Sequence, residues 1–313
     1  MSLKGLLLVN LGTPDSARVW DVWRYLNEFL TDGRVIDLPW WKRQLLVRGL
    51  IVPKRVRSSA KLYKQLWTTE GSPLMFHSVR MANKLQAKLK GEWRVELAMR
   101  YRNPSIQSGL QKLKKCSEIV VLPLFPQYAS ATNGSVIEKV MDEVKQWSSI
   151  PTLRFIGPYY DHPEMIKALA KQASLFDLKQ YDKVLFSFHG LPVRQDTSAS
   201  YSAQCQTTAH LLANELKLSR DRWEIAFQSR LGKEPWLEPY ASDSLKKMAQ
   251  AGTKKLLVFS PAFVADCLET IQEIGVEYAT EFLHFGGEKL DLVPCLNDSP
   301  AWIDALEKII DHR

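Results

Sequence analysis

The stretch KVLFSFHGLP, residues 183–192, runs through apolar residues to a histidine and then into a Gly-Leu-Pro turn. A continuous apolar run of this length, without polar alternation, reads as a strand buried on both faces in a parallel sheet covered by helices. His189 then stands at the carboxyl end of that strand, the edge at which open α/β sheets bind their ligands. Read alone, it is the hydrogen-bonded histidine of a strand terminus. Only the rest of the chain can make it more.

Similar runs occur at GLLLVNL (5–11), WRVELAM (93–99), EIVVLPL (118–124), TLRFIG (152–157), WEIAFQS (223–229), KLLVFSP (255–261) and LDLVP (290–294). Between them lie segments of helical period, among them SIQSGLQKLKK, SVIEKVMDEVKQW and PEMIKALAKQASLF. Strands alternating with helices predict the α/β class, with parallel sheets covered on both faces. The order is doubled, one series covering 5–124 and another 152–294. This predicts two similar doubly wound, Rossmann-like parallel-sheet domains with a ligand cleft between them. The expected division is 1–135 plus the terminal helix 298–313 as one domain, and 136–297 as the other.

Bulk properties bound the function without naming it. At 313 residues and 45% apolar composition the chain can bury a core in each of two domains. No apolar stretch approaches the roughly 20 residues that span a bilayer, and LLLV after Lys4 is too short for a signal peptide, so a cytoplasmic location is expected. The four cysteines, Cys116, Cys205, Cys267 and Cys295, show no CxxC spacing; neither a zinc ribbon nor a disulfide framework is suggested. There are 42 basic and 34 acidic residues, a net charge of +8. Part of the excess lies in WWKRQLLVRGLIVPKRVRSSAKLYK (40–64). Basic and aromatic residues mixed in this way suit a solvated helical surface, an anionic membrane surface, nucleic acid phosphates or an acidic small molecule. No nucleic-acid-binding motif is present, and no nucleic acid partner is expected.

Two other strand ends carry unusual residues. NLGTPDS has one glycine and lacks GxGxxG or GxxxxGK[ST], so it reads as a strand-to-helix turn with Thr13 or Asp15 as helix cap. In SPAFVADCLETIQEI helical period begins at Asp266. Leu268, Ile271, Ile274 and Tyr278 form an apolar stripe, and Asp266, Glu269, Glu273 and Glu277 a carboxylate file on the other side. Such a file is either a solvated acidic face or a path for protons or a divalent cation. Like charges one turn apart raise one another's pKa, and carboxylates with one imidazole would hold Fe²⁺ loosely. An imidazole at one strand end, carboxylates near another and a basic-aromatic segment together suit a flat, acidic aromatic ligand that loses protons and gains a metal.

The motifs LLLVNLGTPDS, FLTDGRVIDLP, GSPL, MRYRNPSI, PLFPQYASATNGS, SFHGLP, FQSRLGKEPWLEPY and DCLETIQEI, in this order along nearly the whole chain, resemble those of the ferrochelatases, class II chelatases that insert Fe²⁺ into a porphyrin. The resemblance implies a porphyrin cleft between the two domains, with His189 as catalytic and metal-site histidine and Glu269 as catalytic and metal-site glutamate. Glu273 falls at the next acidic position of a proton or metal relay. Leu11, Phe29, Leu30, Arg100, Tyr101, Tyr128, Ser130 and Trp236 fall at porphyrin-binding positions, and the residues after FLTDGR at a lip over the pocket mouth.

The chemistry assigns tasks within that frame. A planar free-base porphyrin must lose two N–H protons, and a pocket that binds it bent exposes the nitrogen lone pairs, at a strain of about 1 to 5 kcal/mol drawn from contacts elsewhere. An imidazole, with an unperturbed pKa of about 6.5, accepts such a proton at cellular pH. Glu269 would bind the iron or take the second proton. Two departures narrow the reading. Members with a [2Fe-2S] cluster use a cysteine where this chain has Ser130, together with a cysteine-rich carboxyl extension, so no cluster and no other prosthetic cofactor are expected. Relatives acting on coproporphyrin III carry a tyrosine where this chain has Leu11, which favours protoporphyrin IX. The expected partners are therefore protoporphyrin IX and ferrous iron, with peripheral contact to an anionic membrane surface and the chain a monomer. A coproporphyrin III ferrochelatase, a cobalt or nickel tetrapyrrole chelatase and a haem or porphyrin carrier are the alternatives.

Overall fold

A computed structural model describes residues 3–232 and 234–311. The chain divides into two compact units, one containing the residues up to Phe125 together with Ala129–Gly157, the other Pro126–Tyr128 and the chain from Pro158 onwards.

The first unit holds a sheet of β1 (Lys4–Gly12), β2 (Trp93–Tyr101), β3 (Glu118–Pro123) and β4 (Thr152–Phe155). The second holds β5 (Lys183–His189), β6 (Trp223–Gln228), β7 (Lys255–Phe259) and β8 (Lys289–Leu292). Both sheets are wholly parallel, in the order β2-β1-β3-β4 and β6-β5-β7-β8. All eight expected strands are present and the doubling is real. In each sheet the chain leaves the first strand toward one edge and the third toward the other, so a switch point lies between β1 and β3 and between β5 and β7.

Burial explains the arrangement. Leu6, Leu7, Leu8 and Val9 of β1 are all fully buried, and Val184, Leu185, Phe186, Ser187 and Phe188 of β5 are at most 1% exposed, so both faces of these strands need helices over them. Helix Ser135–Val144 supplies one such cover: Val136, Val140 and Val144, one turn apart, pack on Leu7, Val9, Ile119 and Val121.

That packing moves the expected domain boundary. Helix Ser135–Val144 is the crossover from β3 to β4, and β4 pairs with β3 from Glu118↔Thr152 onward, so residues 136–157 belong to the first unit rather than the second. The terminal helix, Pro300–Asp311, belongs to the second unit rather than the first. It packs on helix Pro163–Gln172, with Trp302 fully buried, its ring centroid 6.1 Å from that of Tyr159, and with Lys308 2.9 Å from Glu164. The helix goes where its apolar face finds a partner.

Among the described residues no helix is long and apolar enough to cross a membrane.

Gly12 closes β1 against Tyr101 of β2 at φ +116°. A Cβ built there would lie 2.0 Å from the Tyr101 carbonyl oxygen. Gly12→Ala is expected to destabilise the first unit by about 2 kcal/mol or more, from left-handed strain plus the clash, as measured by urea unfolding.

Candidate active site

At the switch point of the second unit, the carboxyl ends of β5 and β7 bring two of the singled-out segments together. His189 ends β5, half-buried, and its Nδ1 is 2.7 Å from the Gly190 carbonyl oxygen. A carbonyl can only accept, so Nδ1 carries the hydrogen, and in the neutral ring the lone pair is then on Nε2. The Tyr201 hydroxyl donates to the His189 carbonyl at 2.8 Å. Gly190 allows close packing: a Cβ there would stand 2.7 Å from the Gln228 carbonyl oxygen and 3.2 Å from the ring of Trp236. Trp236 therefore lies over the residue next to the imidazole, its segment held by the Val193 amide donating to Pro235 and the Leu237 amide to Leu191.

After β7 the chain enters a π-helix, Glu269–Tyr278, that continues as α-helix over Ala279–His284. Winding to i→i+5 hydrogen bonds re-aims the side chains. Of the expected apolar stripe Leu268, Ile271, Ile274 and Tyr278, Ile274 alone is buried, while Thr270 and Gln272 turn inward. Asp266 leaves the expected carboxylate file. Its side chain accepts from Thr270 Oγ1 (3.1 Å), the Cys295 amide (3.3 Å) and Asn297 Nδ2 (2.6 Å), which makes it a buried bracket to the chain after β8.

Glu273 is the most heavily bonded acid of the segment. It accepts from Gln228 Nε2 (3.1 Å), the Ser229 amide (2.8 Å), Ser229 Oγ (2.6 Å) and the Tyr278 hydroxyl (3.1 Å). Partial burial raises the Glu277 carboxyl above the usual range, and the charges of Glu273 and Glu281 add to it. Burial pushes the Cys267 thiol far up, with the negative charge of Glu269 adding to it.

Gln228 joins the two segments. It is fully buried and stands opposite His189 in the β5–β6 register. Ser187 Oγ donates to its Oε1 at 2.8 Å, which orients the amide so that Nε2 donates to the Glu269 carbonyl at 3.0 Å as well as to Glu273. Its own carbonyl accepts from the Gly190 amide at 2.8 Å. Sequence reasoning missed Gln228, Ser229 and Tyr278. The available signal was a glutamine inside the apolar run WEIAFQS, whose burial obliges it to find partners.

The remaining predicted residues fall into both units. Leu11, half-buried, lies at the end of β1, and Phe29 and Leu30 at the end of helix Val19–Leu30. Arg100 and Tyr101 end β2, with the guanidinium 4.6 Å from the Tyr101 ring centroid and the Phe29 ring 5.1 Å from it. Both are bound to Asp32: Arg100 Nη2 at 2.5 Å and the Tyr101 hydroxyl at 2.9 Å. Ser130 Oγ accepts from Arg34 Nη1 at 3.0 Å. Tyr128 belongs to the second unit, where its amide donates to Gln204 at 2.7 Å and its side chain is exposed. Neither Thr13 nor Asp15 caps a helix. Thr13 donates to Ser72 at 2.9 Å, Asp15 pairs with Arg102 and Asn103, and the helix starts at Val19 without a side-chain cap. Among the described residues no group of three or more His, Cys, Asp or Glu side chains could hold a metal ion.

Glu273→Leu would remove one of the two acceptors of the buried Gln228 amide nitrogen and leave the Ser229 donors unpaired. The expected cost is about 3 kcal/mol, against less than about 0.5 kcal/mol for Glu277→Leu at its exposed site. Urea unfolding of both variants checks the difference.

A family model described as Ferrochelatase matches residues 3–313. The ferrochelatase of Legionella pneumophila (strain Lens) is 45% identical, the match covering 99% of this chain and 99% of that protein. That of Pseudomonas fluorescens (strain Pf0-1) is 43% identical, with 100% and 98% covered. Among solved structures, SirB from Bacillus subtilis with Fe³⁺ superposes with a TM-score of 0.62 at 10% identity, over 99% of this chain and 94% of that one. CbiX, described as the terminal enzyme of sirohaem biosynthesis in denitrifying bacteria, gives 0.52 at 14% identity, with 98% of each chain covered. At such identities the structural likeness shows the fold alone.

Proposed function

The chain belongs to the ferrochelatase family, enzymes that insert iron into a porphyrin in haem synthesis, and from that premise we propose that it metallates protoporphyrin IX through His189 and Glu269. The observation that carries the residue assignment is the Gln228 amide, which ties the strand ending in His189 to the π-helix that begins at Glu269.

Insertion exchanges two pyrrolic protons for Fe²⁺. His189 accepts one of these protons at Nε2, because Nδ1 is committed to the Gly190 carbonyl. Glu269 supplies a hard oxygen ligand to the entering iron. Glu273, which accepts four hydrogen bonds, anchors the π-helix. Glu277 and Glu281, whose carboxyls are raised by partial burial and by the neighbouring Glu273 charge, are suited to pass protons outward. Leu11, Phe29 and Arg100 in the first unit, and Tyr128 and Trp236 in the second, offer apolar and aromatic surface for a ring face, and Ser130 a hydroxyl; Tyr101 and Leu30 are themselves buried and support that surface within the first unit. Leu11, an aliphatic side chain at the end of β1, supports the less acidic porphyrin over coproporphyrin III. No prosthetic group is assigned a part.

Anaerobic assay with protoporphyrin IX and Fe²⁺, followed by the shift to the metalloporphyrin spectrum, tests the assignment. His189→Ala and Glu269→Ala are each expected to lose at least about a hundredfold in turnover, with porphyrin still bound. Turnover at wild-type level in both variants overturns it, and porphyrin binding without turnover in the wild type favours a carrier.

The basic-aromatic segment supports peripheral contact with an anionic membrane surface. Trp40, Trp41 and Leu45 are 70%, 60% and 71% exposed, and Lys42, Arg48, Lys54, Arg55 and Arg57 are exposed beside them. Helix Val52–Leu66 turns Val52, Val56, Ala60 and Tyr63 inward, which leaves its cations outside. Each cation near such a surface contributes about 1 kcal/mol. Neutralising Lys54, Arg55 and Arg57 to Gln is expected to abolish pelleting with anionic liposomes at low salt; unchanged pelleting removes the role.

A further inference from the structure

We propose that Asp32 is a positioning residue for porphyrin binding, its buried carboxylate holding Arg100 and Tyr101 as one fixed wall. This rests on Arg100 contacting the porphyrin, as proposed for the function, with the fully buried Tyr101 backing its guanidinium.

Asp32 lies just beyond helix Val19–Leu30 and its side chain is 7% exposed. Oδ2 accepts from Arg100 Nη2 (2.5 Å), Ser135 Oγ (2.6 Å) and the Tyr101 hydroxyl (2.9 Å), and Oδ1 accepts from the Arg34 amide (2.8 Å). These donors come from three places: the end of β2, the start of helix Ser135–Val144 and the loop after helix Val19–Leu30. One carboxylate thereby fixes all three, and through them the contact of Phe29 with the Tyr101 ring.

The network also changes what Arg100 can offer. Its Nη2 is paired with Asp32, and its Nε donates to Ser135 Oγ at 2.6 Å and to the Ser135 carbonyl at 3.1 Å. A guanidinium so committed is neutralised and immobile, so it meets a substrate as a shaped surface stacked on Tyr101 rather than as a free cation reaching for a propionate. Burial favours the neutral acid, but the Ser135 and Arg34 hydrogen bonds and the Arg100 charge outweigh it and keep the Asp32 carboxyl below the usual range. An asparagine at this position cannot substitute. Whichever way its amide turns, an NH₂ faces donors on one side, and the charge that balances buried Arg100 is gone.

The test measures KM for protoporphyrin IX and for Fe²⁺ separately, with kcat and Tm, in the wild type, Asp32→Asn, Arg100→Met and the double variant. Asp32→Asn is expected to raise the porphyrin KM about tenfold, the scale of one lost charge-assisted hydrogen bond, with the Fe²⁺ KM unchanged within about twofold. The double variant is expected to be no worse than Arg100→Met, since Asp32 acts through Arg100. An equal rise in both KM values, or additive effects in the double variant, overturns the proposal. A raised porphyrin KM in Arg100→Met with a normal one in Asp32→Asn overturns it while leaving the wall reading intact. A normal porphyrin KM in Arg100→Met discards both. Should Asp32→Asn fail to fold, Ser135→Ala removes one donor from the same carboxylate; a porphyrin KM raised about threefold with Fe²⁺ KM unchanged supports the proposal, and no change overturns it.

Discussion

Strands β1 and β5 are buried on both faces, so every backbone N–H and C=O in them must pair within the sheet and their side chains must be covered by other elements. That constraint sets most of the architecture. Parallel neighbours require crossovers, crossovers covering both faces require the chain to leave in both directions, and leaving in both directions opens a switch point at the carboxyl edge. His189 and the acidic π-helix stand at that edge because β5 and β7 end there.

A sheet edge alone does not make a site, and each unit adds a buried polar tie at an equivalent place. In the second unit, β6, the neighbour of β5, ends in Gln228, whose amide reaches the Glu269 carbonyl and the Glu273 carboxylate. In the first, β2, the neighbour of β1, ends in Arg100 and Tyr101, both held by Asp32. Each tie sets a carboxylate against several donors in a poorly solvated place. Such networks hold one geometry well when every member is satisfied and are costly to break by removing one partner. Such rigidity suits the metal insertion proposed for this chain, in which groups keep their positions while protons and a cation pass.

The carboxylate file divides by environment. Asp266 is enclosed by Thr270, Cys295 and Asn297, Glu273 is saturated by hydrogen bonds, and Glu277 lies on the outer side with a raised carboxyl. Residues of one chemical type, three or four apart in sequence, thus stand as bracket, anchor and outward-facing acid. What separates them is how many donors each one meets.

The sequence by itself determined the α/β class, the eight strands and their doubling, because long apolar runs between helical segments have few other physical solutions. The positions of His189 at a strand end and of Glu269 at the start of a helix were legible through their motifs. The domain boundary was not. The valine stripe of Ser135–Val144 says that a helix must be buried but not in which core, and the terminal helix posed the same ambiguity until Trp302 met Tyr159. The π-winding was hidden as well, since carboxylates three or four apart suit either helix, and only the burial of Thr270 and Gln272 distinguishes them. The commitments of Gln228 and of Arg100 to partners 41 and 68 residues away were decided only by tertiary structure, because a buried polar group takes whatever partner the fold brings to it.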